Sequence, residues 1–149
     1  MCGARLGLSG LFCILAACHD PTAVEGSLTI TITGESAVQG ALVSTNLGPR
    51  YRCQVTLTAT ATGRAKTGGA VWLNGTQDFY DLPADTLYAG GLMDSALVAQ
   101  FWGGSTLDEG QQRSQGLVID MAGPFRMAMG FSYRVDGVLR NVSYGFRCI

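Results

Sequence analysis

The sequence predicts an all-β fold, an antiparallel β-sandwich. Several segments alternate apolar and polar residues, glycine makes up 21 of 149 residues, and no segment has a long, well-capped helical pattern. A period of two places one face of a strand in a core, and glycines suit the turns and bulges between strands. At this length we expect a single such domain.

Five segments carry the alternation, and their β-branched and aromatic residues suit a pleated surface. The predicted strands cover residues 28–33, 53–62, 117–121, 125–133 and 142–148. Asn74-Gly75 indicates a turn, and Gly90-Gly91 a turn or bulge. Residues 95–101 are compatible with either a short helix or a strand.

The last two predicted strands can be aligned with each other. Asp136 and Gly137 both tolerate the positive φ angles of a type I′ turn, so they predict the tip of a hairpin. In that hairpin the numbers of paired residues add up to 273. The inward pairs are all apolar: Phe131 with Val142, Met129 with Tyr144, Met127 with Phe146, and Phe125 with Cys148. A slip of one residue would turn every one of them outward.

The N-terminal residues predict export. Arg5 is the only charge among the first eighteen residues, and the apolar run from Leu6 to Ala17 is too short to span a membrane. This pattern is typical of a signal peptide. Its end, Leu15-Ala16-Ala17-Cys18, resembles the lipobox of bacterial lipoproteins.

The resemblance implies a diacylglycerol on the thiol of Cys18, cleavage before this residue, and acylation of the new amine. It also implies a membrane anchor in the bacterial cell envelope. Asp20 stands one place later than the position that retains enteric lipoproteins in the inner membrane, which favours the outer membrane. The expected organisation is a signal peptide (1–17), a lipid-anchored tether (18–26) and a β-sandwich (27–149). The alternative is an ordinary cleaved signal that ends at a chance cysteine.

Two of the five cysteines, Cys53 and Cys148, remain after the signal and the proposed lipid site are set aside. Disulfides persist in exported proteins, and an even remainder favours one bridge, here closing a loop of 95 residues. Both cysteines lie on the inward phase of their strands. The alternatives are two separate buried thiols or, less simply, a zinc site, for which the sequence offers no partner ligands.

The order Cys53, Trp72, Cys148 resembles that of an immunoglobulin-like domain. This resemblance implies the sandwich architecture and places Trp72 in the core near the bridge. Two departures stand against a closer relationship. The second cysteine lies on the last strand rather than the penultimate one, and Phe146 occupies the position of the tyrosine corner.

Composition and charge exclude several functions. A net charge of −1 disfavours a nucleic-acid binder. The single histidine, His19, follows the proposed lipid site directly and is poorly placed for a catalytic triad. Asp78, Asp81 and Asp85 offer oxygen ligands for calcium, but their spacing fits no EF-hand and a solvated turn is the simpler interpretation. We expect no cofactor and no metal site.

The candidate binding surface is the outward face of the final hairpin. Arg126 and Arg147 oppose each other there, although like charges destabilise a strand pair. The other outward residues are small, among them Gly130 and Gly145. We hypothesise that this strip receives a partner and that the arginines hold an anion. The alternative is that both arginines point into solvent or pair with acidic residues nearby.

These observations favour a lipid-anchored protein of the cell envelope with a non-catalytic binding, adhesion or structural role. The expected partner is another envelope protein. The alternative is a small carrier or sensor for an apolar or carbohydrate ligand. That role would use Trp102, which follows Phe101 and would point to the opposite face of a strand. Packing in the core is the simpler interpretation for Trp102, as it is for Trp72. An enzyme ranks third, because no acid–base set is evident; Ser36 or Ser44 with Lys66 is the remaining combination.

Overall fold

The computed structural model describes residues 27–82 and 84–149. The predicted signal peptide, Cys18 and the tether lie outside these residues. The described chain forms eight strands and one helix. In chain order they are β1 (Thr29–Thr45), β2 (Gly48–Thr62), β3 (Ala70–Asp81), β4 (Thr86–Met93), α1 (Ser95–Trp102), β5 (Thr106–Leu107), β6 (Gln112–Met121), β7 (Phe125–Val135) and β8 (Val138–Cys148).

The strands form two antiparallel sheets, which confirms the predicted all-β sandwich. One sheet has the order β1-β2-β6, and the other has the order β4-β3-β7-β8 with the short β5 pairing to β3. With letters assigned along the chain, these orders are ABE and C′CFG, an arrangement of the immunoglobulin type that lacks strand D. Contacts between β1 and β8 close one side of the sandwich. On the other side β4 and β6 are edge strands, and α1 contacts both of them.

The hairpin of β7 and β8 has the predicted register. Its pairs run from Phe125 with Cys148 to Val135 with Val138, without a shift. Asp136 and Gly137 form the turn with φ angles of 50° and 80°, as a type I′ turn requires. The Asp136 carboxylate also accepts hydrogen bonds from the backbone amide of Lys66 at 3.0 Å. This contact ties the hairpin tip to the loop between β2 and β3.

A disulfide joins Cys53 on β2 to Cys148 on β8, with a Cα–Cα distance of 6.0 Å. It therefore connects the two sheets through the core, where both residues are fully buried. The bridge ends on the last strand rather than the penultimate one, so it differs from the immunoglobulin bridge in the way that the sequence predicted.

A cluster of aromatic side chains fills the end of the core that lies away from the disulfide. The rings of Trp72 and Trp102 stack at 5.7 Å, and Phe131 and Tyr133 meet Trp72 edge-on. Trp72 is buried as predicted, but the prediction that it packs near the disulfide is wrong. It pairs with Tyr133, whereas Cys148 pairs with Phe125. Eight residues of β7 separate the two places, which is about 26 Å of extended strand.

Residues 95–102 are helical. Asp94 caps the N-terminus, where its side chain accepts a hydrogen bond from Leu97 N at 2.9 Å, and Gly103 ends the helix with a φ of 70°. Phe101 and Trp102 both pack against the core, so they do not diverge to opposite faces as they would in a strand. Within the described chain, no helix is long and apolar enough to cross a membrane.

Asn74-Gly75, predicted as a turn, and Gly90-Gly91, predicted as a turn or bulge, both lie inside strands. Asn74 and Gly75 belong to β3, next to a register shift between Trp72 and Asn74. Gly90 and Gly91 pair with β3 as part of β4. The sequence pattern therefore did not predict β4. For β3 it predicted only that Trp72 lies on a strand, without the bounds of that strand.

Candidate functional site

The outward face of the β4-β3-β7-β8 sheet carries the predicted binding residues. Arg126 on β7 pairs directly with Arg147 on β8, and Ala128 pairs with Gly145 in the same way. Gly130 lies further along β7 and pairs with Ser143. The structure thus brings Arg126, Arg147, Gly130 and Gly145 onto one face, in the predicted order.

The two arginines have different environments. The guanidinium of Arg126 donates to the carboxylate of Asp85 at 2.8 Å, and its carbon lies 3.8 Å from the ring centre of Tyr80. Among the residues that the structure describes, Arg147 forms no ion pair within 4.0 Å. The simpler alternative, pairing with an acidic residue, therefore holds for Arg126. The sequence did not predict that Asp85 and Tyr80 would surround it.

The charge of Asp85 offsets part of the positive charge of the two arginines. The hydrogen bond from Arg126 holds the pKa of Asp85 below its ordinary value, and the more distant Arg147 acts in the same direction. The same contact raises the pKa of Arg126. Asp85 thus lowers the repulsion that direct pairing of two arginines would create. Together, Arg126, Arg147 and Asp85 carry one net positive charge. Of the two arginines, Arg147 is the more exposed.

A hollow of about 290 Å³ lies on this face around Gly130, where the missing side chain leaves space. We call it the Gly130 hollow. Five polar side chains line it: Asn74, Thr76, Ser132, Asn141 and Ser143. All five come from the outward positions of three adjacent strands, β3, β7 and β8.

The polar side chains of the hollow are all neutral hydrogen-bonding groups, and they lie among apolar surface that includes Phe131 and Val142. Ser132 Oγ donates to Asn141 Oδ1 at 2.7 Å, which orients the amide of Asn141. A Cβ atom on Gly130 would lie 3.0 Å from Thr76 Oγ1, so any side chain there would occupy the hollow. The site can therefore donate and accept several neutral hydrogen bonds at once. Arg147 stands four residues along β8 from Ser143, roughly 13 Å away.

Sequence reasoning found the β7 and β8 side of this site but not the β3 side. Asn74 and Thr76 face Ser132 and Gly130 across the β3–β7 pair. Because β3 and β7 are far apart in the chain, no local signal indicates that they are neighbours. In addition, the local sequence Asn74-Gly75 predicts a turn rather than a strand.

Three surface carboxylates, those of Asp85, Asp120 and Asp136, are held in the ionised form by their partners. Asp120 accepts two hydrogen bonds from Arg52 at 2.7 Å, and Asp136 accepts from backbone amides. These contacts lower the pKa values of Asp120 and Asp136, as Arg126 lowers that of Asp85. A general acid at neutral pH needs the opposite shift. Ser36 pairs with Val55 and Ser44 with Pro49, so both lie far along the β1–β2 pair from the loop of Lys66.

The carboxylates of Asp78, Asp81 and Asp85 do not form a cation site. Asp85 is engaged by Arg126, and Asp78 lies beside Gly90 on the neighbouring strand. Within residues 27–82 and 84–149 no cluster of three or more histidine, cysteine or acidic residues is arranged to hold a metal ion.

Trp102 does not line an open cleft. Only 3% of its surface is exposed, and its ring packs against the rings of Trp72 and Phe131. Arg113 donates to the carbonyl oxygen of Gly103 and so holds the end of α1 over this cluster. Trp102 is therefore not accessible to a ligand, as the alternative carrier role would require.

The comparisons with known proteins bear on the fold alone. No family model matches the chain, and no curated protein matches it. Northeast Structural Genomics Consortium target SoR45 is a similar solved structure, with a TM-score of 0.50 and 15% identity over 84% of this chain and 88% of that one. The putative ApaA protein from Bordetella pertussis has a TM-score of 0.49 and 14% identity over 82% and 88%. The first likeness supports a sandwich fold of known type.

Proposed function

We propose that this protein is a lipid-anchored component of the bacterial cell envelope, and that its β-sandwich binds a partner without catalysing a reaction. The Gly130 hollow is the observation that carries the binding role. It joins five neutral polar side chains from three strands in one concave place. Rigid strands position such groups more precisely than loops do.

The anchor rests on the sequence. Leu15-Ala16-Ala17-Cys18 ends an apolar run of signal-peptide length. An oxidising compartment is consistent with the disulfide between Cys53 and Cys148. The eight residues from His19 to Gly26, between the anchored cysteine and the domain, reach at most about 29 Å, so the domain would sit close to its membrane.

The chemistry of the hollow indicates the class of partner. Amide and hydroxyl groups suit a surface rich in backbone amides, such as an extended segment of another envelope protein. Arg147, roughly 13 Å along β8 from Ser143, adds one accessible cation for an acidic group.

The anchor is tested by mass spectrometry of the mature protein from its host. We expect an N-terminal peptide that begins at Cys18 and carries thioether-linked diacylglycerol. A Cys18→Ala variant should lose the lipid and leave the membrane fraction. A wild-type product without lipid, or with the leader intact, would overturn this part of the proposal.

The binding site is tested by photo-cross-linking in intact envelopes. A photoreactive residue at Ser143 should give a discrete adduct, whereas one at Thr56, on the outward face of the other sheet, should not. Gly130→Gln fills the hollow and should abolish the adduct from Ser143. Gly116→Gln is the matched control, because Gly116 lies within β6 and a Cβ there meets nothing within 4 Å. Equal adducts from both variants would contradict the assignment.

A further inference from the structure

We propose that the tip of the β7–β8 hairpin is a membrane-contact surface, which rests on anionic phospholipid headgroups beside the lipid anchor. This inference depends on the proposed anchor. The surface adjoins the Gly130 hollow but shares no residue with it. We call it the tip patch, and it consists of Lys66, Val71, Arg134, Val138, Leu139 and Arg140.

The chain enters the domain at this end. Ser27 is the first residue that the structure describes, and its Oγ accepts a hydrogen bond from the guanidinium of Arg140 on β8. The backbone amide of Leu28 donates to the carbonyl oxygen of Arg64 at 2.8 Å, two residues before Lys66. The connection to the proposed anchor therefore leaves the domain beside the tip patch.

The reach of this connection selects one end of the domain. The residues between Cys18 and Ser27 span at most about 29 Å. β1 runs away from Ser27 for 17 residues, roughly 55 Å of extended strand, and ends at the turn of Asn46 and Leu47. With Cys18 in the membrane, that turn meets the bilayer only if the whole domain lies flat, whereas the tip patch is within reach.

The patch combines apolar side chains with cations. Val71, Arg134 and Leu139 pair directly across β3, β7 and β8, so a cation lies between two exposed apolar side chains. Val138 and Leu139, next to the turn, are 55% and 58% exposed. At a bilayer surface, apolar side chains bury themselves in the boundary between headgroups and acyl chains, while long cationic side chains extend to the phosphates. The patch supplies both kinds of group.

The cations of the patch are available to an anionic surface. Among the described residues, Lys66, Arg134 and Arg140 form no ion pair within 4.0 Å. Asp136, the acid of the hairpin turn, accepts hydrogen bonds from the backbone amides of Lys66 and Thr67. Its carboxylate is therefore oriented by the β2–β3 loop and does not neutralise the three cations by direct contact.

The other acids at this end lie away from the hairpin. Asp108 and Glu109 belong to the loop after β5, which pairs with β3 on the side opposite to β7. Glu109 is within 3.5 Å of Arg64. The β7–β8 side of this end is thus the more cationic one, and we expect it to face the headgroups of an anionic leaflet.

The test places a fluorescent probe on the patch of the lipidated protein. The protein is inserted into vesicles of phosphatidylcholine and phosphatidylglycerol that contain lipid brominated near the headgroup end of its acyl chains. Leu139→Trp should lose roughly half of the emission of the introduced indole and shift it to the blue. Because Trp72 and Trp102 are only 2% and 3% exposed, the wild-type signal can be subtracted.

Leu47→Trp is the matched control for position. Leu47 is 73% exposed and lies in the turn at the opposite end of the domain, so its probe should be quenched little. For charge, Arg134→Glu together with Lys66→Glu should reduce the quenching of Leu139→Trp about twofold or more. Arg50→Glu, close to the opposite turn, should leave it unchanged. An intact disulfide and unchanged far-ultraviolet circular dichroism establish that each variant is folded.

Flotation with the vesicles separates this inference from the proposed anchor. A wild-type chain that does not float refutes the anchor, and the membrane contact with it. A chain that floats but shows equal quenching from Leu139→Trp and Leu47→Trp overturns the membrane contact alone and leaves the tip to a soluble partner. Equal quenching with and without phosphatidylglycerol would overturn the assignment to anionic headgroups.

Discussion

Removal of the disulfide is expected to cost a large part of the stability of this domain. The bridge between Cys53 and Cys148 closes a loop of 95 residues. The chain-entropy relation for a loop of this size gives about 4.7 kcal/mol at 25 °C. Single domains have total stabilities of about 5–15 kcal/mol. The loss would therefore leave a marginal fold.

Three variants separate the effect of the link from that of the side chains. Cys53→Ala, Cys148→Ala and the double variant all remove the same bridge, so their losses should be nearly equal rather than additive. Cys53→Ala also removes a contact from the amide of Gly40 to Cys53 Sγ at 3.3 Å. This weak contact should add only a few tenths of a kcal/mol.

The assay is equilibrium unfolding in urea, for the oxidised protein, the reduced protein and the three variants. The reduced wild type should resemble the variants and have a lower free energy of unfolding than the oxidised protein. Its free energy of unfolding should also depend more steeply on urea concentration, because the unfolded chain without the bridge exposes more surface. The same midpoint for oxidised and reduced protein would refute the reasoning. So would a double variant that loses twice as much as either single one.

Three further predictions concern other parts of the sandwich. Trp102→Ala should lower the free energy of unfolding by about 3–5 kcal/mol, because it opens a cavity beside Trp72, and chemical denaturation with fluorescence detection would measure this. Asp94→Ala should lose the N-cap of α1 and about 1 kcal/mol, again measured by denaturation. Because Arg126 holds the pKa of Asp85 below its ordinary value of 3.8, the ion pair stabilises the fold above that pH, and its contribution disappears as pH falls through the lowered pKa. Asp85→Asn should remove that part of the acid dependence in thermal melts between pH 2 and 6.

The regular part of the fold could be predicted from the sequence. β7 and β8 pair without a register shift, as do β2 and β6. Each of these strands therefore alternates strictly between inward and outward residues over the stretch where its inward residues are apolar. The hairpin turn supplied the register as well, because Asp136-Gly137 fixes the loop length.

The remaining strands are those whose period is interrupted. β1 has register shifts after Ser36 and after Val38, and only its first part was predicted. β4 has a shift opposite Phe79 and Tyr80, besides being an edge strand with little to bury. The short helix α1 depends on tertiary contact, since it is held over the core by packing and by Arg113.

The shift in β3 explains why the candidate site could be predicted only in part. Trp72 and Thr76 both have even numbers, so in a regular strand they would face the same side. The shift between Trp72 and Asn74 reverses the phase. Trp72 therefore points into the core, while Thr76 lies on the outward face beside Gly130. A local irregularity of this kind leaves no mark on a pattern of alternating residues, yet it places the polar residues of β3 in the hollow. Without it, Asn74 and Thr76 would face a core whose described members are all apolar, and their unpaired polar groups would destabilise the fold.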